Sequence, residues 1–279
     1  MPNHLFKTLY TIGLTLALIL TQTGCFKKKA VPPPAPKALI VVTNHGQLGD
    51  TGKPTGWYLS EVSHIYYPLK EAGFEIDFAS PKGGEAPMDP TSNKPEDPLN
   101  KKFLDDASLM QAMKETKKVR DTKASDYKII HFAGGHGTMW DFPDSPDIQI
   151  LTRDIYEGGG IVSAICHGPA ALVNTKLTDG SYLVAGKKLT AFTDAEEYEV
   201  DLHMVVPNML ETQLRLKDAE FDSALPWEDH VVVSGRLITG QNPQSGHSLA
   251  KKLVEAYKTL KAEEEAAAKA AAEAQKDKK

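Results

Sequence analysis

Two adjacent residues carry the clearest chemistry in this sequence. Cys166 and His167 stand in the stretch AICHGPAAL, residues 164–172. The apolar run GIVSAI before the cysteine reads as a buried strand, and the small residues after it read as the start of a helix. A thiol at such a strand–turn–helix elbow lies near a helix N-terminus, whose partial positive charge favours thiolate over thiol. Backbone N–H groups just beyond it can stabilise a developing oxyanion. A cysteine without this setting would read as a small buried hydrophobe. In an elbow, with His and Gly directly after it, it reads as a nucleophile with its base alongside. A second apolar run, YKIIHFA, enters Gly134-Gly135-His136-Gly137, where His136 suits a pocket wall or a structural turn equally. His45, His64, His131, His203, His230 and His247 show no metal-ligand spacing. No metal is therefore expected, and any ligand set would have to come from distant segments. No Gly-rich dinucleotide fingerprint is present, and no cofactor is expected.

These residues need a scaffold, and residues 37–259 supply its pattern. Short apolar runs alternate with amphipathic stretches, as in a parallel sheet covered by helices. Strands are expected at 38–43, 74–80, 127–133 and 160–165, with a late strand pair at 230–234 and 236–239. Helices are expected at 57–72, ended by Gly73 and kinked at Pro68, and at 104–118, 148–157 and 245–260. The Pro- and Gly-rich stretch 81–101 reads as a long loop and a candidate pocket wall. The fold class is α/β, a three-layer sandwich with a mostly parallel central sheet.

The combination AGGHG, AICHGPAAL and TGQNPQS resembles the ThiJ/PfpI superfamily, which shares a flavodoxin-like fold with class I glutamine amidotransferases. TGWYLSE at 55–61 and SPKGG at 80–84 are similar to the branch of glutathione-independent glyoxalases (glyoxalase III) and chaperone/deglycase proteins. The resemblance covers about residues 38–258. It implies that Cys166 is the nucleophile, His167 the adjacent base, and Glu61 a protonated carboxyl held against the thiol. It places the acid that orients the histidine in TAFTDAEEYE, at Glu197, with Glu196 as competitor. Gly135 and His167 match the oxyanion hole, with Gly134 and His136 beside them at the substrate. The implied reaction converts methylglyoxal or a related 2-oxoaldehyde to a 2-hydroxy acid through a hemithioacetal, without glutathione or metal. Three alternatives stay open: a cysteine amidase or peptidase of the PfpI type, a non-catalytic chaperone, which needs an exposed apolar patch, and a redox sensor.

The ends have a different character. Residues 1–24 resemble a secretory signal: Lys7 precedes an apolar stretch, Leu9 to Leu20, too short to cross ~30 Å of hydrocarbon. The run ends in TQTGC, similar to a bacterial lipoprotein box, with Gln22 as a departure from it. Cys25 is the expected lipidation site and 25–36 a basic, Pro-rich tether, which places the protein at the cell envelope on a lipid anchor. Residues 260–279 read as a charged tail, helical or frayed. With two cysteines in such different settings, no disulfide is expected. The net charge of -5 over 279 residues offers nothing to nucleic acid. The expected partners are a small aldehyde and the membrane, and a homodimer stays open.

Overall fold

The computed structural model describes residues 34–276; the leader, Cys25 and most of the tether lie outside them. The chain runs β1 (Lys37–Val41), α1 (Leu59–Glu71), β2 (Glu75–Ser80), α2 (Pro98–Asp105), α3 (Ala107–Lys114), β3 (Lys117–Lys118), β4 (Ile129–Phe132), α4 (Thr138–Asp141), α5 (Pro146–Glu157) and β5 (Ile161–Ile165). It continues through β6 (Lys188–Leu189), α6 (Asp194–Glu199), α7 (Leu210–Arg215), β7 (Glu220–Phe221), β8 (Val231–Ser234), β9 (Leu237–Gly240) and α8 (Gly246–Lys276).

Seven strands form the central sheet in the order β3-β2-β1-β4-β5-β9-β8. All neighbours are parallel except β8 with β9. The strands β1, β4 and β5 are buried and mostly apolar on both faces because helices cover both, with His131 and Ser163 as a hydrogen-bonded exception. Leu39, Val41, Ile130, Phe132, Val162 and Ala164 pack on the α5 side. Ala38, Ile40, Ile129 and Ile161 pack on the side of α1, α3 and α8. At ~1.5–3 kcal/mol for each large apolar side chain buried, these two faces are the main source of stability. The α/β fold with a mostly parallel sheet is as the sequence implies.

One expected helix is two. The stretch read as a helix at 104–118 breaks at Asp106, whose extended backbone ends α2 and whose carboxylate caps α3 through Ser108 and Leu109 N–H. The expected loop at 81–101 likewise gives up its last turn to α2, which Asp97 caps and Pro98 opens. Pro68 stands in the last turn of α1, where one missing N–H is tolerated. The expected closing helix and charged tail form one element, α8. Among the described residues, no helix is long and apolar enough to cross a membrane.

Candidate active site

The chemistry gathers at the C-terminal ends of β1, β4, β5 and β9, where parallel α/β sheets place their sites. β5 delivers Cys166, whose φ of 57° puts a non-glycine residue in the left-handed region. Such strain is held only where the surroundings over-determine it. Here the Cys166 N–H donates to the Gly240 carbonyl and its own carbonyl accepts from Phe192. The turn aims the thiol into a cavity of about 160 Å³ lined by Tyr58, Gly135, His136, Phe192 and Trp227 among others. Beyond the turn the chain forms a five-residue 3-10 helix, Gly168–Leu172, in place of the helix expected from sequence. Its dipole is short, and burial together with the nearby Glu61 pushes the thiol well above its ordinary value. The expectation of a thiolate stabilised by a helix N-terminus is thereby corrected. The thiol stays protonated until a base takes its proton.

An imidazole is placed to take that proton. His167 Nδ1 lies 3.3 Å from Cys166 Sγ, and Nε2 lies 2.8 Å from Glu197 Oε2. A carboxylate only accepts, so Nε2 carries the hydrogen and Nδ1 presents its lone pair to the thiol. Burial and the neighbouring His136 lower the imidazole's pKa against the pull of Glu197, which favours the neutral ring with a free lone pair. Burial alone would raise Glu197, yet His167 and His136 together hold it well below the usual carboxylate range. His136 Nε2 donates to the other oxygen, Glu197 Oε1, at 2.9 Å. One carboxylate therefore orients two rings, which lie 4.1 Å apart.

Glu196 does not compete for this role. It closes a capping box with Thr193 at the start of α6, and its Oε1 accepts from Trp227 N–H, Gln241 and Asn242. The TGQNPQS segment thus grips the helix that carries Glu197.

Glu61 projects from the first turn of α1 and is fully buried. Its Oε2 accepts the Gly134 N–H at 2.7 Å, while Oε1 has no hydrogen-bond partner. Burial pushes its pKa up to about 8, with Gly134 and Cys166 opposing the rise. At neutral pH the group is a carboxylic acid beside the thiol. His131, buried beneath it on β4, contacts the Glu61 carbonyl and Ser163 and so steadies the helix turn.

Both backbone groups of Gly134 are engaged within the protein. Its N–H is spent on Glu61 and its carbonyl on Tyr58 N–H, so it positions groups around the site. A Cβ there would come within 2.7 Å of the His167 nitrogen and the Ile165 carbonyl, so only glycine fits. Gly135, at φ +100°, lines the cavity. Among the described residues its N–H meets no acceptor. It is free to hold an oxyanion. His167 N–H faces the thiol and lowers its pKa against burial.

Sequence reasoning missed part of the wall. Asp89 and Thr91 come from the loop expected to wall the pocket, but nothing in its composition singles them out. Tyr58 stays a phenol because burial, Glu61, Cys166 and Asp89 all oppose its ionisation. Trp227, at φ 65°, is fixed by its Nε1 on Glu199 and its edge on Phe192. No periodicity marks a residue of that kind.

Known proteins resemble this chain in sequence and fold. The DJ-1/PfpI family model matches residues 55–256. The glutathione-independent glyoxalase HSP31 of Saccharomyces cerevisiae is 33% identical over 80% of this chain and 98% of its own length. Glyoxalase 3 of Candida albicans is 35% identical over 79% of this chain and 98% of its own length. Among solved structures, the Francisella tularensis Rapid Encystment Protein 24 kDa superposes with a TM-score of 0.77 at 42% identity, over 79% of this chain and 98% of that one. Glyoxalase III from Candida albicans gives 0.74 at 31% identity, over 79% and 97%. With these relatives and an elbow cysteine on a parallel sheet, the chain belongs to the DJ-1/PfpI family.

Proposed function

We propose that the protein is a glutathione-independent glyoxalase, converting methylglyoxal or a similar 2-oxoaldehyde and water to a 2-hydroxy acid. The observation that carries this reading is Glu61, a buried carboxylic acid neutral below about pH 8 that adjoins the thiol. A hydrolytic triad has no use for such a proton donor, whereas an enediol step needs one. The names of the relatives point the same way.

His167 Nδ1 takes the thiol proton as Sγ bonds to the aldehyde carbon, and the oxygen that develops charge is met by the Gly135 N–H. The imidazolium, held by Glu197, returns its proton to that oxygen and completes the hemithioacetal. His167 then removes the hydrogen from the same carbon while Glu61 protonates the adjacent carbonyl oxygen, giving an enediol. His167 delivers the hydrogen to the second carbon, and the first hydroxyl returns its proton to Glu61. The product is a thioester of Cys166, which water cleaves to the 2-hydroxy acid and the thiol. Atoms and protons balance, and no net oxidant is consumed.

The test is lactate formation from methylglyoxal by the purified chain without glutathione. Activity is expected in the wild type and none in Cys166→Ala. A wild-type chain that forms no lactate at millimolar substrate overturns the reading. The amidase alternative shares Cys166, His167 and Glu197, but a cavity of about 160 Å³ favours a three-carbon aldehyde over a peptide.

We also propose export and lipidation at Cys25, supported by the sequence of residues 1–25. In bacterial cells the full chain is expected in the membrane fraction and Cys25→Ala in the soluble one. Equal partition of both disproves the anchor.

A further inference from the structure

Three side chains that do not line the thiol's cavity converge where no spacing in the sequence would pair them. His64 comes from α1, Asp97 is the N-cap of α2, and His247 is the second residue of α8. Their ligand atoms all lie within 4.8 Å of one another. We propose that they form a binding site for a divalent transition metal of the zinc type, separate from the catalytic centre and not dependent on the glyoxalase reading.

The donors suit such an ion. Two imidazoles and one carboxylate are a borderline set, too nitrogen-rich for magnesium or calcium and lacking the thiolates that select copper(I). Asp97 is already oriented: Oδ1 accepts from the Leu99 and Asn100 N–H groups at 2.8 and 3.0 Å. That leaves Oδ2 turned to His64 Nε2 at 2.9 Å. Backbone donors that fix a ligating carboxylate in this way are what metal sites use to hold their ligands. His64 is buried, and its Nδ1 has no partner. The rings of His64 and His247 stack with their centroids 3.9 Å apart. Gly246 makes the approach possible, since a Cβ there would meet His64 Nδ1 at 2.8 Å.

Zinc bonds near 2.0–2.1 Å place tetrahedral ligand atoms roughly 3.3 Å apart. His64 and Asp97 are close to that spacing. His247 is exposed, and the solvent side leaves a fourth position for water. The bound ion would tie α1, α2 and α8 together one turn from Glu61, because His64 stands at i+3 from Glu61 on α1.

The catalytic group His136, His167 and Glu197 also offers three ligand atoms at this spacing, so the experiment must separate the two. The full chain, stripped with EDTA, is titrated with zinc chloride by calorimetry and by thermal scan. The wild type is expected to bind zinc and melt at a higher temperature with it. His247→Ala should weaken this binding by about tenfold or more and lose the shift, while its methylglyoxal turnover without zinc stays unchanged. Asp97→Asn, which keeps the cap, should weaken binding similarly. His136→Ala should leave the site intact. The proposal fails if the wild type binds no zinc. It also fails if His247→Ala binds zinc as the wild type does, or if binding disappears with His136→Ala and survives in His247→Ala.

Discussion

At the scale of single residues, the site depends on two carboxyl groups kept in opposite states. Glu197 is held ionised by two histidines, and Glu61 is held neutral by burial. The proposed mechanism needs the proton on Glu61, so turnover should fall as pH rises through about 8. Glu61→Gln can still donate a hydrogen bond but cannot relay a proton. It should lower kcat by ~10²-fold or more and remove this alkaline limb from the pH profile. A variant as active as wild type, with the limb unchanged, would show that another group supplies the proton. The linkage has the opposite sign from a salt-bridged acid. Because the folded pKa of Glu61 is raised from 4.5, the native state binds the extra proton between about 4.5 and 8. Stability from this group therefore decreases as pH rises through that window. Glu61→Gln should flatten that slope in denaturant titrations. Cys166 and His167 were legible because adjacency in an elbow constrains both. The burial that keeps Glu61 protonated is a property of packing, and only the resemblance pointed to it. Asp89 and Trp227 left no trace in the sequence because loops impose no period.

At the scale of elements, short segments with strong ends position the site. α6 has only six residues, too few to be stable by propensity. It persists because Thr193 accepts from Glu196 N–H, while Glu196 bonds back to the Thr193 backbone and to three partners beyond the helix. Thr193→Ala should cost ~1–2 kcal/mol of stability, read from the denaturation midpoint. It should also lower kcat more than it changes KM, because Glu197 sits in the turn that the cap secures. A stability loss with kcat intact would mean that the two histidines hold Glu197 without help from the cap. Capping also explains where element boundaries were misread. The apolar period runs straight across Asp106, so a helix at 104–118 looks continuous. The chain instead uses Asp97 and Asp106 as successive caps, and α2 and α3 turn against each other. An Asp-Pro pair before an apolar run is a start signal that was open to view at Asp97 and Pro98.

At the scale of the whole molecule, the parallel sheet was legible from alternation alone, whereas the extent of α8 was not. Residues rich in Ala, Glu and Lys favour a helix wherever one already exists to extend, since propagation costs less than nucleation. α8 is nucleated by its buried start, with Leu249, Ala250 and Leu253 against the sheet. It then runs to Lys276 with every residue from Lys261 onward exposed. The salt bridge from Lys128 to Glu264 ties this extension to the body, with both side chains nearly half exposed. An exposed pair of this kind contributes ~0–1 kcal/mol. Truncation after Leu260 should therefore leave methylglyoxal turnover unchanged and move Tm by less than about 4 °C. A larger loss of Tm would mean that the extension stabilises the fold through contacts beyond this pair, and a second copy of the chain would be the first place to look.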